Sequence, residues 1–189
     1  MDTDKFRVQL KEIARRINYA DVAFESYVEM SFGNIEWNEV YKVGGAFWAV
    51  TRKSLMENSF IYICAAYQRL KGLLDHEDKL GSITITDPSL KSIFTCRSEF
   101  EEYNNKFLNL KKIRDKALAH FDRDWLDHVD TLFNMYSLSI EDIRYMIELE
   151  RDTCNTLIGS NMFVRYHNYN DISYVLGFFH KCSKKKDNR

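Results

Sequence analysis

Apolar side chains return every three or four residues from Phe6 through Leu10, Ile13, Ile17, Ala20 and Phe24 to Val28, with Lys, Arg and Glu between them. That period puts them on one face of a helix over about residues 4–30. Ser31-Phe32-Gly33-Asn34 reads as its stop. A short helical piece over 35–42 leads to Gly44-Gly45, a joint or a close helix crossing. A second long helix is expected over 46–72, and its run FIYICAAY (60–67) is apolar almost all round, as suits a helix inside a bundle. The longest connection is LLDHEDKLGSITITD (73–87). Its SITIT stretch has strand propensity, but an extended segment without a partner reads as loop. Asp87-Pro88 is a helix start, because Asp caps free N–H groups and proline suits the first helical position. Leu90, Ile93, Phe100, Tyr103, Phe107, Leu110, Ile113 and Ala117 then carry a third helix to near His120, with Cys96 as the point where it would kink or break. The segment FDRDWLDHVD (121–130) is polar and turn-like. Ser139-Ile140-Glu141-Asp142 is a capping-box pattern that opens a fourth helix, striped by Ile140, Ile143, Ile147, Cys154 and Leu157. A last short helix is expected over 170–181.

Four amphipathic helices with short extras bury their stripes most economically against one another. The fold class is therefore all-α, an up-and-down bundle of four main helices plus short accessory helices. A chain of 189 residues fits one domain, taken as 1–183, with a short basic tail over 184–189. Composition agrees: 45% hydrophobic and 29% charged residues exclude disorder, and a single proline favours long helices. A formal net charge of -1 excludes a strongly basic, nonspecific nucleic-acid binder but leaves room for local cationic patches. The opening MDTDKFRVQLKEIARR is charged throughout and unlike a signal peptide. Cys64, Cys96, Cys154 and Cys182 are widely spaced, as reduced thiols of a cytoplasmic protein would be. The longest apolar run is too short to cross a bilayer, so no membrane partner is expected.

Chemistry concentrates in Arg114-Asp115-Lys116-Ala117-Leu118-Ala119-His120, at the end of the third helix. Histidine exchanges a proton near neutral pH, and arginine offers a permanently charged planar fork that matches phosphate. The two suffice to cleave RNA when the ribose 2′-OH attacks its own phosphodiester, without a metal. Asp115 can orient Arg114 or His120, and Lys112 and Lys116 can contact the RNA backbone. Residues six apart lie about 120° apart around a helix, so Arg114 and His120 meet only through a long side chain, a loosened helix end or a second subunit. The blander account makes Arg114 a surface arginine and His120 a histidine favoured by the helix dipole. The acidic residues around His76 and those after His120 (Asp122, Asp124, Asp127, with His128) offer a less economical metal-binding alternative. HExxH, P-loop and GxGxxG motifs are absent. No metal and no cofactor are therefore expected.

The segment KKIRDKALAHFDR resembles the Arg-x(4–6)-His signature of the HEPN superfamily, in its AbiU2-like branch, through Arg114, Asp115, Lys116, Ala119 and His120, with Asp122 just beyond. The likeness extends over about residues 5–165. It implies a helical bundle that forms a homodimer with the motif in a shared cleft. It further implies metal-independent endoribonuclease activity on an RNA substrate, in phage defence or a toxin–antitoxin system with an antitoxin or regulatory partner. The resemblance equally allows a non-catalytic helical module that binds a partner protein or nucleic acid.

Overall fold

The computed structural model describes residues 3–32, 37–75, 90–119 and 129–158, and within them all regular structure is helical. Helix α1 (Thr3–Phe32) buries Phe6, Leu10, Ile13, Ile17, Ala20 and Phe24 as its period predicts, while at the end of the stripe Tyr27 is buried and the expected Val28 only partly so. Helix α2 (Trp37–Leu74) absorbs both the short piece and the second long helix. The joint between them is real: Gly44 leaves helical dihedrals (φ 178°, ψ 48°) before the helix resumes. Helix α3 (Leu90–Ala119) runs unbroken, which overturns the kink considered at Cys96. Cys96 is buried on the same stripe as Phe100 and Phe107, so packing there needs no change of direction.

Helix α4 (Val129–Met135) takes its first two residues from the segment read as turn-like and the rest from sequence left unassigned. It closes by a Schellman-type turn: the Leu138 amide donates to the Phe133 carbonyl (2.9 Å) and the Ser137 amide to the Asn134 carbonyl (3.2 Å). Ser137 takes φ 51°, the left-handed conformation that glycine usually supplies there. Helix α5 (Ile140–Ile158) starts at the expected capping box. The Asp142 amide donates to Ser139 Oγ (3.0 Å), and the Ser139 amide donates to Asp142 Oδ2 (2.9 Å). The expected 170–181 helix, the 184–189 tail, the Asp87-Pro88 start and the SITIT loop lie outside the described residues.

The long helices pack as an up-and-down bundle in the ring order α1, α2, α3, α5, with α2 and α5 also touching across the diagonal. Antiparallel order is visible in the pairings. Along α1 and α5, Glu25 meets Arg144, Asp21 meets Arg151, and Cys154 reaches the Leu10 carbonyl. Along α3 and α5, Lys106 meets Asp142 and Cys96 meets Thr156. The core is one continuous cluster. At its α2–α3 side Tyr67, Phe100 and Phe107 stack, Tyr67 lying 3.8 Å from Phe107 between ring centroids. No described helix is long and apolar enough to cross a membrane.

Candidate functional site

Seven-residue steps along α3 lead from Phe100 to Phe107 to Arg114, so the arginine occupies the stripe that carries buried rings one and two heptads earlier. A core position at a helix end lets its long side chain pack its stem and keep its head near water. The Arg114 side chain is 19% exposed. Its guanidinium turns onto the adjacent carboxylate, with Nε donating to Asp115 Oδ1 at 2.9 Å and Nη2 to the same oxygen at 2.5 Å. Asp115 itself is 54% exposed. Arg114 is thus aimed by its neighbour, while Asp115 offsets part of the charge a phosphate would see.

Lys116 is held differently, with Nζ over the Tyr136 ring at 5.2 Å from its centroid. Lys112 is exposed and donates to Asn109 Oδ1 at 3.3 Å. Lys111, Lys112, Arg114 and Lys116 against Asp115 make this end of α3 locally cationic, whereas Glu99, Glu101 and Glu102 make its first half acidic. Lys116, in the last turn, complements the helix dipole, and the cationic cluster gives the motif end a positive field. His120, Asp122, Asp124, Asp127 and His128 lie outside the described residues, as do His76, Glu77 and Asp78; the neighbouring Asp75 is exposed at the end of α2.

Beneath Arg114 lies the buried thiol of Cys64 on α2. Burial pushes it up to about 12, opposed by the nearby charges of Arg114 and Lys111 and assisted by those of Glu150 and Asp115. Cys64 is therefore a protonated packing residue. Tyr67, pushed up to about 12 mainly by burial, donates its hydroxyl to Asn104 Oδ1 (2.5 Å), which also accepts from Lys71 Nζ (2.8 Å).

The pattern reading passed over Glu150. Its side chain is fully buried, and neither carboxylate oxygen has a hydrogen-bond partner among the described residues. Burial drives it well above the usual carboxylate range; the Tyr67 backbone, near but outside hydrogen-bonding geometry, opposes this weakly. The signal was legible: the α5 stripe steps from Ile147 to Cys154, and the position between them on that face is 150.

A family model for AbiU2, of the HEPN type, matches residues 38–160, from the start of α2 to just past the end of α5. No curated protein and no solved structure matches the chain.

Proposed function

The chain belongs to the AbiU2 family of HEPN domains, and from that premise we propose that it is a metal-independent endoribonuclease of phage defence or of a toxin–antitoxin pair. The observation that carries the proposal is Arg114, a permanent cation at a position of α3 where the stripe otherwise calls for core side chains. A helix end tolerates a guanidinium there, but does not call for one, and departures from the local pattern concentrate at functional sites. In the proposed reaction the ribose 2′-oxygen loses its proton and attacks the adjacent phosphorus. The bond to the 5′-oxygen breaks, and that oxygen takes up a proton. The products are a 2′,3′-cyclic phosphate end and a 5′-hydroxyl end. His120 handles proton transfer, Arg114 stabilises charge on the phosphoryl oxygens, and Asp115 keeps the fork in place. Lys112 and Lys116 attract the RNA backbone. A homodimer with the motif near a shared cleft, and an antitoxin that covers it, complete the reading.

Cleavage of RNA by the purified chain should survive EDTA. Arg114→Ala and His120→Ala should each lower it by about a hundredfold or more, with circular dichroism and melting unchanged. End analysis of the fragments should find cyclic phosphate. Equal cleavage by both variants and the parent would remove the assignment.

The Arg114–Asp115 pair also supports a second reading, a non-catalytic binding module, because a guanidinium already engaged by a carboxylate is a weaker phosphate clamp. Absence of cleavage on varied RNAs, together with stable capture of a partner by the intact dimer, would favour it.

A further inference from the structure

Helix α1 carries its charge in two blocks. Its first half holds Lys5, Arg7, Lys11, Arg15 and Arg16 against Asp4 and Glu12, and its second half holds Asp21, Glu25 and Glu29. In the acidic block Asp21 and Glu25 serve the frame, through their pairs with α5. The basic block has no such partner helix. Lys5 stands in the first turn, where the helix dipole favours acid. Lys11 is exposed and in no ion pair among the described residues.

Rings are set among these cations. Tyr19, 52% exposed, lies under the Arg15 guanidinium, which is 5.9 Å from its ring centroid, and 6.0 Å from the tilted ring of Tyr62 on α2. Arg15 is itself 63% exposed, and Lys11 comes one turn before it. Across the groove, Arg69 stands about two turns beyond Tyr62 on the same face of α2. The antiparallel course of the two helices brings it level with the turns of Lys11 and Arg15. It is exposed and, like Lys11, in no ion pair among the described residues. Glu12, the acid between these cations, already accepts from Arg15 at 3.1 Å and from Arg16 at 3.3 Å, so its charge is offset.

The exposed Tyr145 of α5 makes the contrast. It also packs on a second ring, that of Tyr103, but among Glu99, Glu102 and Asp152. Exposed tyrosine pairs therefore occur on both sides of the bundle, and cations surround only the α1 pair. A guanidinium laid on a ring is a ready stack to which another planar group can add. Single-stranded RNA supplies what both features need, unpaired bases for the stack and phosphates for the flanking cations. An acidic peptide would use the cations alone. We infer that the groove between the first half of α1 and the second half of α2 binds single-stranded RNA, with a base on the Tyr19–Arg15 stack and phosphates on Lys11 and Arg69. The ring order places α2 between this groove and α3, so the contact is separate from the Arg114 end. That the bound strand is a substrate rests on the ribonuclease reading; the binding does not.

Fluorescence anisotropy of the full chain with a labelled 2′-O-methyl oligoribonucleotide, which cannot be cut by attack of its own 2′-oxygen, tests the inference. Tyr19→Ala should weaken binding about tenfold, and Tyr145→Ala should bind as the parent does. Lys11→Gln and Arg69→Gln should each weaken binding and flatten its log–log dependence on salt by about 0.7. All four side chains are exposed, so melting should stay intact. A Tyr19→Ala variant that binds like the parent, or no better than Tyr145→Ala does, overturns the inference. So does a salt dependence unchanged by both charge removals, and so does a parent that ignores the oligonucleotide, including one that binds phosphatidylglycerol vesicles instead. Binding in this groove by a chain that cuts no natural RNA would remove the ribonuclease reading alone.

Discussion

Two seams of the bundle are built from opposite materials. Between α1 and α5 ion pairs join the helices: Arg151, steadied by Glu148 of its own helix at 2.6 Å, meets Asp21 at 2.7 Å, and about two turns earlier on α5 Arg144 meets Glu25. Between α2 and α3 they are aromatic, through Tyr67, Phe100 and Phe107. An ionic seam sets which residues face each other but returns little net free energy, because desolvation offsets the attraction. An aromatic seam returns free energy with less positional selectivity, through area and ring packing. On its α2 side the helix that ends in the candidate motif is held by the second kind.

Truncating the aromatic seam should give the largest loss. Phe107→Ala removes a buried ring from the stack and should cost about 3–5 kcal/mol in urea unfolding. A loss no larger than that of a surface substitution would show that the seam is not what holds α3. Breaking the ionic seam comes next. The Arg151 side chain is 6% exposed; burial pulls its charge down, but Asp21 and Glu148 more than restore it. Arg151→Met leaves Asp21 facing an apolar group and should cost about 3 kcal/mol. Arg144, 45% exposed, should lose well under about 1 kcal/mol as Ala. Equal effects for the two arginines would erase the difference between the buried and solvated ends of this seam.

Glu150 sharpens the comparison from the side, because it is an acidic residue of α5 with neither an ionic nor a hydrogen-bonded partner among the described residues. Its carboxyl is held well above the ordinary value, so between those two values the folded chain binds a proton that the unfolded chain has released. Stability therefore declines as pH rises through that window and stays low above it. Glu150→Gln should remove the decline. Its advantage over the parent should be small at pH 4 and reach about 1 kcal/mol or more at pH 8, one unit of displacement being worth about 1.4 kcal/mol. Parallel stability–pH curves for the two proteins would show that Glu150 is paired.

Period alone placed α1, the interior of α2, most of α3 and the capped start of α5, because each has one apolar stripe and a clear start or stop. Helix α4 escaped, since seven residues of mixed polarity carry too little period to detect; its buried Phe133 packs edge-on against Phe60 of α2. Cys96 was misjudged as a kink because a polarisable small residue looks weak in sequence yet packs well. The motif proposes Arg114, Asp115, Lys112 and Lys116 as site residues, and their position at the cationic end of α3 follows from the helix they share. The motif left Asp115 two partners, Arg114 or His120, and the long arginine stem makes the first contact possible although neighbouring residues on a helix point to different sides. Glu150 went unseen because the stripe was read for its apolar members and the one charged interruption was stepped over.

The turn after α4 has a consequence for how such a protein can change. Lys106 donates to the Ser137 carbonyl at 2.7 Å and to Asp142 at 2.9 Å, Asn109 donates to the Tyr136 carbonyl at 2.9 Å, and Lys116 lies over the Tyr136 ring. These contacts act as abutments: the second half of α3 is fastened to the head of α5 and the turn before it by residues that all lie outside the nine of 120–128. Mutation within that span can therefore retune acidity, charge and substrate preference while the frame on either bank stays put.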